Sequence, residues 1–108
     1  MKVDLPYLEQ SDIDKAFDEH VEETKECGFD LENFKPGTYG FFELIDRSMI
    51  CYENFETYCL EHPATAVDKE IFDMASKTVE LIFQFYQMVA CKDWDENEEK
   101  LEQKTQDQ

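Results

Sequence analysis

A chain of 108 residues carries 27 Asp and Glu against 10 Lys and Arg, a formal net charge of −17. That length supports one hydrophobic core, and that charge excludes ordinary electrostatic binding to a nucleic-acid backbone or to an anionic membrane. With 42% hydrophobic and 14% aromatic residues, the composition is too rich for a disordered acidic tail, so the chain is expected to fold.

The four cysteines, Cys27, Cys51, Cys59 and Cys91, form no C-x-x-C pair, and the start MKVDLPYLEQ lacks the basic and apolar regions of a secretory signal. A cytoplasmic location is expected. The longest apolar stretch, residues 79–90, is interrupted by Glu80, Gln84 and Gln87 and does not read as a membrane span.

In chain order, Ser11-Asp12-Ile13-Asp14 is a variant of the capping box and Gly28 a left-handed terminator, so a first helix is expected between them. Ile13, Ala16, Phe17, Val21 and Thr24 fall on one stripe at helical spacing. Asp14, Asp18, Glu19, Glu22, Glu23 and Glu26 lie off it, which predicts a core face and a strongly anionic face. His20 sits in the apolar stripe; a partly buried imidazole bonded to another helix outweighs a metal ligand or proton carrier there.

Residues 28–40 are too apolar for a free linker, and Pro36-Gly37 marks a turn, so the segment is expected to pack down with one helical turn at 31–34. Thr38 or Gly40 then opens a second helix that runs to about Glu61, where His62-Pro63 stops it. Its buried side is expected to hold Phe41, Leu44, Ile45, Tyr52, Phe55 and Cys59, with Glu43 and Arg47 paired on the wet side.

Thr65-Ala66-Val67-Asp68 reads as another capping box, opening a third helix expected to reach about Trp94. Its apolar surface, from Val67 and Ile71 to Met88 and Val89, is too wide for one neighbour, so it is either clasped between two helices of its own chain or shared with a second subunit. Residues 93–108 have little apolar content besides Trp94 and Leu101. The expected fold is all-α: a three-helix bundle with a long C-terminal helix, dimeric through that helix, with an acidic C-terminal tail. Residues 1–92 form the single acidic helical domain, and 93–108 a helical extension or a disordered tail.

Glu53-x-x-Glu56 and Glu70-x-x-Asp73 place carboxylates on one side of each of two helices, a pattern that could converge on Mg²⁺ and activate water against a phosphate. This spacing resembles the motif of the MazG-like all-α nucleoside triphosphate pyrophosphohydrolases. The resemblance implies paired metal ligands at those four positions, and a dimer or tetramer. The alternative for all four is a solvated face, since Asp73 falls in the middle of the third helix's polar arc. Glu56 lies on the apolar flank of the second helix, where a tuned acid is less expected than a carboxylate reaching water or a tyrosine hydroxyl.

Cys59 and His62 could supply half of a zinc site, with Cys27 or Cys91 completing it, although buried cysteines more often act as small apolar residues. Glycine-rich phosphate loops, Ser/His/Asp arrangements and the iron-binding Glu-x-x-His are absent from the sequence. No catalytic residue, metal or cofactor is therefore assigned.

The remaining signal is charge, which divides as −7 over residues 1–40, −5 over 41–92 and −5 over 93–108. The acidity thus belongs to the helices as well as the tail. An anionic helix face either keeps a protein dissolved or meets a basic partner, with carboxylates standing where phosphates would. The reading adopted is a non-catalytic helical interaction protein. Asp14, Asp18, Glu19, Glu22, Glu23 and Glu26 would contact a basic protein surface, as in an inhibitor or nucleic-acid mimic directed at a nucleic-acid enzyme. This is an analogy of class, to small phage or plasmid inhibitors and to immunity proteins against nucleases. The alternatives are the MazG-like hydrolase and a purely structural homo-oligomer.

Overall fold

The structure, a computed structural model, describes residues 8–106, apart from the side chains at 100 and 103–106. Residues 1–7, the larger part of the start read as lacking a signal, and residues 107–108, the tip of the expected tail, lie outside the described residues. Those described are mostly helical, with no strand among them: α1 is Gln10–Glu26, α2 is Tyr39–Phe55 and α3 is Lys69–Gln106. Among the described residues no helix is long and apolar enough to cross a membrane.

The first helix is capped two residues earlier than expected. Glu9 stands at the N-cap with extended dihedrals and makes no side-chain cap bond, while Ser11 lies inside the helix. Backbone N–H groups of Asp12 and Ile13 both donate to the Glu9 carbonyl, which satisfies the first turn without the hydroxyl. The C-terminus is as the glycine indicates. Gly28 adopts φ 92°, its N–H donates to the Lys25 carbonyl at 3.0 Å, and Phe29 N–H reaches the Thr24 carbonyl at 3.3 Å, a Schellman closure.

The connector packs down. Asp30 caps a 3-10 turn at Leu31–Phe34 by accepting from Glu32 N–H, Phe29 and Phe34 meet edge to face at 5.7 Å, and Lys35 pairs with Glu32. Thr38 then caps α2, its hydroxyl accepting from Phe41 N–H while donating to the carbonyls of Asn33 and Lys35. Gly40 is where the connector crosses closest: a Cβ there would lie 2.5 Å from the Asn33 carbonyl oxygen and 2.6 Å from the Phe34 ring.

After Phe55 the helix widens into a π turn at Glu56–Leu60, closed by Glu61 N–H donating to the Glu56 carbonyl at 2.9 Å. The extra residue in that turn corrects the expected burial: Cys59 is rotated into solvent and Leu60 takes the half-buried place. Leu44 also departs from expectation and is exposed. The most buried residue of α2 is Ser48, whose hydroxyl donates to the Leu44 carbonyl at 2.6 Å and so needs no water.

His62 caps the 3-10 turn at Pro63–Ala66, its Nδ1 accepting from Ala64 N–H at 3.0 Å. The cap of α3 is Asp68, not Thr65. Its Oδ1 accepts from the N–H groups of Glu70 and Ile71, whereas the Thr65 hydroxyl donates back to Leu60 and His62. No breaker follows Asp68, and α3 continues past Trp94 to Gln106.

The core is the antiparallel pair of α2 and α3. Ala75 and Val89 are its buried apolar residues, with Phe41, Ile45, Tyr52, Phe55, Val79, Ile82, Phe83 and Tyr86 half-buried around them. Tyr52 packs on Phe83 at 5.1 Å between ring centres. The expected three-helix packing is not formed, because α1 stands largely clear of the pair: Ile13 and Phe17 are exposed, Phe17 by 63%, and only Val21 and Thr24 are half-buried. The molecule measures 61 × 32 × 25 Å with a radius of gyration of 18.1 Å, against about 13 Å for a compact chain of this length.

Candidate functional site

The acidic residues singled out on the first helix all lie on the exposed surface of α1. At about 100° per residue, Asp14, Asp18, Glu19, Glu22, Glu23 and Glu26 occupy one half of the circumference together with Asp12. Lys15 and Lys25 are the cations within that arc. Ile13, Ala16, Phe17, His20, Val21 and Thr24 occupy the other side.

The arc is poorly compensated. Lys25 lies 4.0 Å from Glu22, both side chains largely in water, and Gln10 donates to Asp14 at 2.8 Å. Asp14–Asp18, Asp18–Glu22, Glu19–Glu23 and Glu22–Glu26 are all like-charge i,i+4 neighbours, each opposing the helix by a few tenths of a kcal/mol (~0.2–0.5). Glu22, Glu23 and Glu26 also crowd the C-terminal end, where the helix dipole disfavours anions. This distribution works against the helix that carries it, and a cationic surface laid along it would relieve the repulsion.

His20 is exposed, so the interhelical hydrogen bond expected of it is not formed among the described residues. Its surroundings explain this: the helix that would have buried it packs elsewhere.

The four carboxylates of the MazG-like pattern are not brought together. Glu70 and Asp73 lie on the exposed polar side of α3, while α2 covers the opposite side, at Ala75, Val79, Tyr86 and Val89. Glu56 is half-buried and accepts from the Tyr52 hydroxyl one turn before it, and Glu53 is exposed. That hydrogen bond, then partial burial and the negative charges of Glu56 and Glu80, hold the Tyr52 pKa above its ordinary value. Among the described residues no group of three or more His, Cys, Asp or Glu side chains is placed to hold a metal ion. Cys27, Cys51, Cys59 and Cys91 are all exposed and unbonded to one another, and His62 is engaged as a cap.

One acid plays a part that composition concealed. Asp93, assigned to the tail by its neighbours in sequence, is half-buried and accepts from Gly37 N–H at 2.7 Å. A positive-φ glycine turn that exposes its N–H was the available signal; the partner, 56 residues away, had none.

No family model matches the chain, and neither a curated protein nor a solved structure is matched by it.

Proposed function

We propose that the chain is a non-catalytic docking protein whose α1 presents a carboxylate surface to a basic protein, in the manner of an inhibitor or mimic of nucleic acid. The observation that supports this reading is the poorly compensated half-cylinder of α1, held clear of the α2–α3 core, with its acids from Asp14 to Glu26 exposed. On α1 the acids stack at i,i+4 against the helix's own stability, an arrangement that charge for solubility alone does not call for. Two copies joined through α3 would present two such arms and so bind a repeated or two-fold basic target more tightly than one.

The test is capture of cytosolic proteins on the immobilised chain at low salt, alongside a variant with all six acids converted to amides. A basic nucleic-acid enzyme retained by the wild type alone, and released as NaCl rises from about 0.05 to 0.5 M, is the expected result. Equal retention by the variant, or a complex indifferent to salt, overturns the reading.

A further inference from the structure

The flank of α3 beside the side that α2 covers carries its own apolar seam. Ile71, Met74, Thr78, Leu81, Phe85 and Met88 succeed one another in steps of three and four, the a and d spacing of a left-handed coiled coil over three heptads. Ile71 is 52%, Met74 65%, Phe85 48% and Met88 60% exposed, while Thr78 and Leu81 are half-buried beside α2, so α2 covers the seam only in part. Leu44 and Cys51 of α2 border it, and with Thr78, Leu81 and Phe85 they line an open groove of about 400 Å³.

Two further observations identify what covers it. The chain exposes 9093 Å² of surface, about 2,800 Å² more than a compact monomer of 12.8 kDa, whereas a stable dimer needs only about 800 Å² from each partner. Part of the excess belongs to α1, which stands clear of the pair, and part to the projecting end of α3; the seam contributes through Ile71, Met74, Phe85 and Met88. The seam is also the neutral strip of an acidic molecule. The positions bordering it on the side away from α2 are Glu70, Lys77, Gln84 and Cys91, which cancel in charge, and on α2 Arg47 is paired with Glu43 at 3.6 Å. A basic partner would find no attraction here, and a second copy with a net charge of −17 would find no local repulsion.

We infer that this seam is a two-fold interface with a second copy of the chain, joining two α2–α3 pairs into an antiparallel four-helix bundle. The antiparallel sense follows from the charges at the seam's ends. Glu70 at one end then faces the partner's Lys92, and the two acidic stretches of α3 beyond Lys92, as far as Gln106, point to opposite ends. A parallel pairing would set Lys92 against the partner's Lys92 and lay both acidic segments side by side. The proposal does not depend on the reading of α1, and its salt response has the opposite sign. Screening weakens docking to a basic surface but strengthens association between two anionic copies.

Sedimentation equilibrium of the full chain tests this. The wild type should sediment at twice 12.8 kDa, with a dissociation constant that falls as NaCl rises. Met74→Glu with Met88→Glu should weaken the dimer about 100-fold or more while keeping the far-ultraviolet helix signal, and Phe17→Glu on α1 should leave it intact. A wild type that stays monomeric at high salt, or a dimer that the double variant leaves unchanged, overturns the interface. Glu70→Lys should weaken association roughly fivefold, and adding Lys92→Glu should restore it. Failure of that restoration overturns the antiparallel arrangement, and this charge swap still decides the matter if the glutamate pair unfolds the chain.

Discussion

The backbone N–H of Gly37 donates to Oδ1 of Asp93 at 2.7 Å, pinning the turn before α2 to α3 a full core's length from the loop that joins the two helices. The acceptor is charged and half-buried, which places this bond among the stronger ones. Asp93→Ala should destabilise the fold by about 1–3 kcal/mol, read by urea unfolding, and Asp93→Asn, which keeps an acceptor, should cost less.

Gly40 is needed for its missing side chain. The atom a Cβ would meet first is backbone, the Asn33 carbonyl oxygen at 2.5 Å, and backbone does not move aside cheaply. Gly40→Ala should therefore lower stability by about 1–3 kcal/mol in spite of alanine's better helix propensity. A neutral or stabilising result in thermal unfolding would contradict the close crossing of connector and helix.

The cap of α3 gives a pair of contrasting variants. Asp68→Ala removes the acceptor for two N–H groups and should cost about 1 kcal/mol. Asp68→Asn and Asp68→Ser keep an acceptor and should recover most of it. Equal losses in all three would contradict the cap.

Alkaline unfolding should carry the signature of Tyr52. Its pKa is raised in the folded chain by the bond to Glu56, so the unfolded chain releases the phenolic proton first. Stability from this source is whole below the ordinary tyrosine pKa of about 10 and is lost as pH rises through the folded value. Lys35, raised by its pairing with Glu32, has the same sign. Tyr52→Phe should flatten the decline in stability above about pH 10 relative to wild type, measured by denaturant titration at several pH values.

Amide exchange should divide the molecule. The α2–α3 pair holds the buried residues, whereas α1 lies in water on nearly every side and is crossed by repelling carboxylates. Amides of α1 should exchange well before those around Ser48, Ala75 and Val89.

The pattern of apolar spacing located three helices, the turn at 31–34 and the stop at Pro63, because these depend on local chemistry: Thr38 as a cap, Gly28 as a terminator, a proline without an N–H. It also showed that α3 has more apolar surface than one neighbour covers. It misplaced what depends on contacts distant in the chain. Cys59 was assigned inward because a wheel assumes a uniform turn, and the π turn at Glu56–Leu60 breaks that uniformity. The stripe of α1 was assigned to the core because amphipathicity states which face avoids water without stating whether a neighbour is present. The six acids of α1 were legible as a surface from residue type alone, while the structural use of Asp93 was hidden among like residues.

The length of α3 has a practical bearing on how the protein behaves in solution. Thirty-eight residues at about 1.5 Å each make one helix nearly as long as the 61 Å molecule, so friction follows the rod and not the mass. On a sizing column calibrated with spheres, even a lone copy should elute early and mimic a heavier species. Stoichiometry therefore has to be taken from scattered light or another measurement blind to shape.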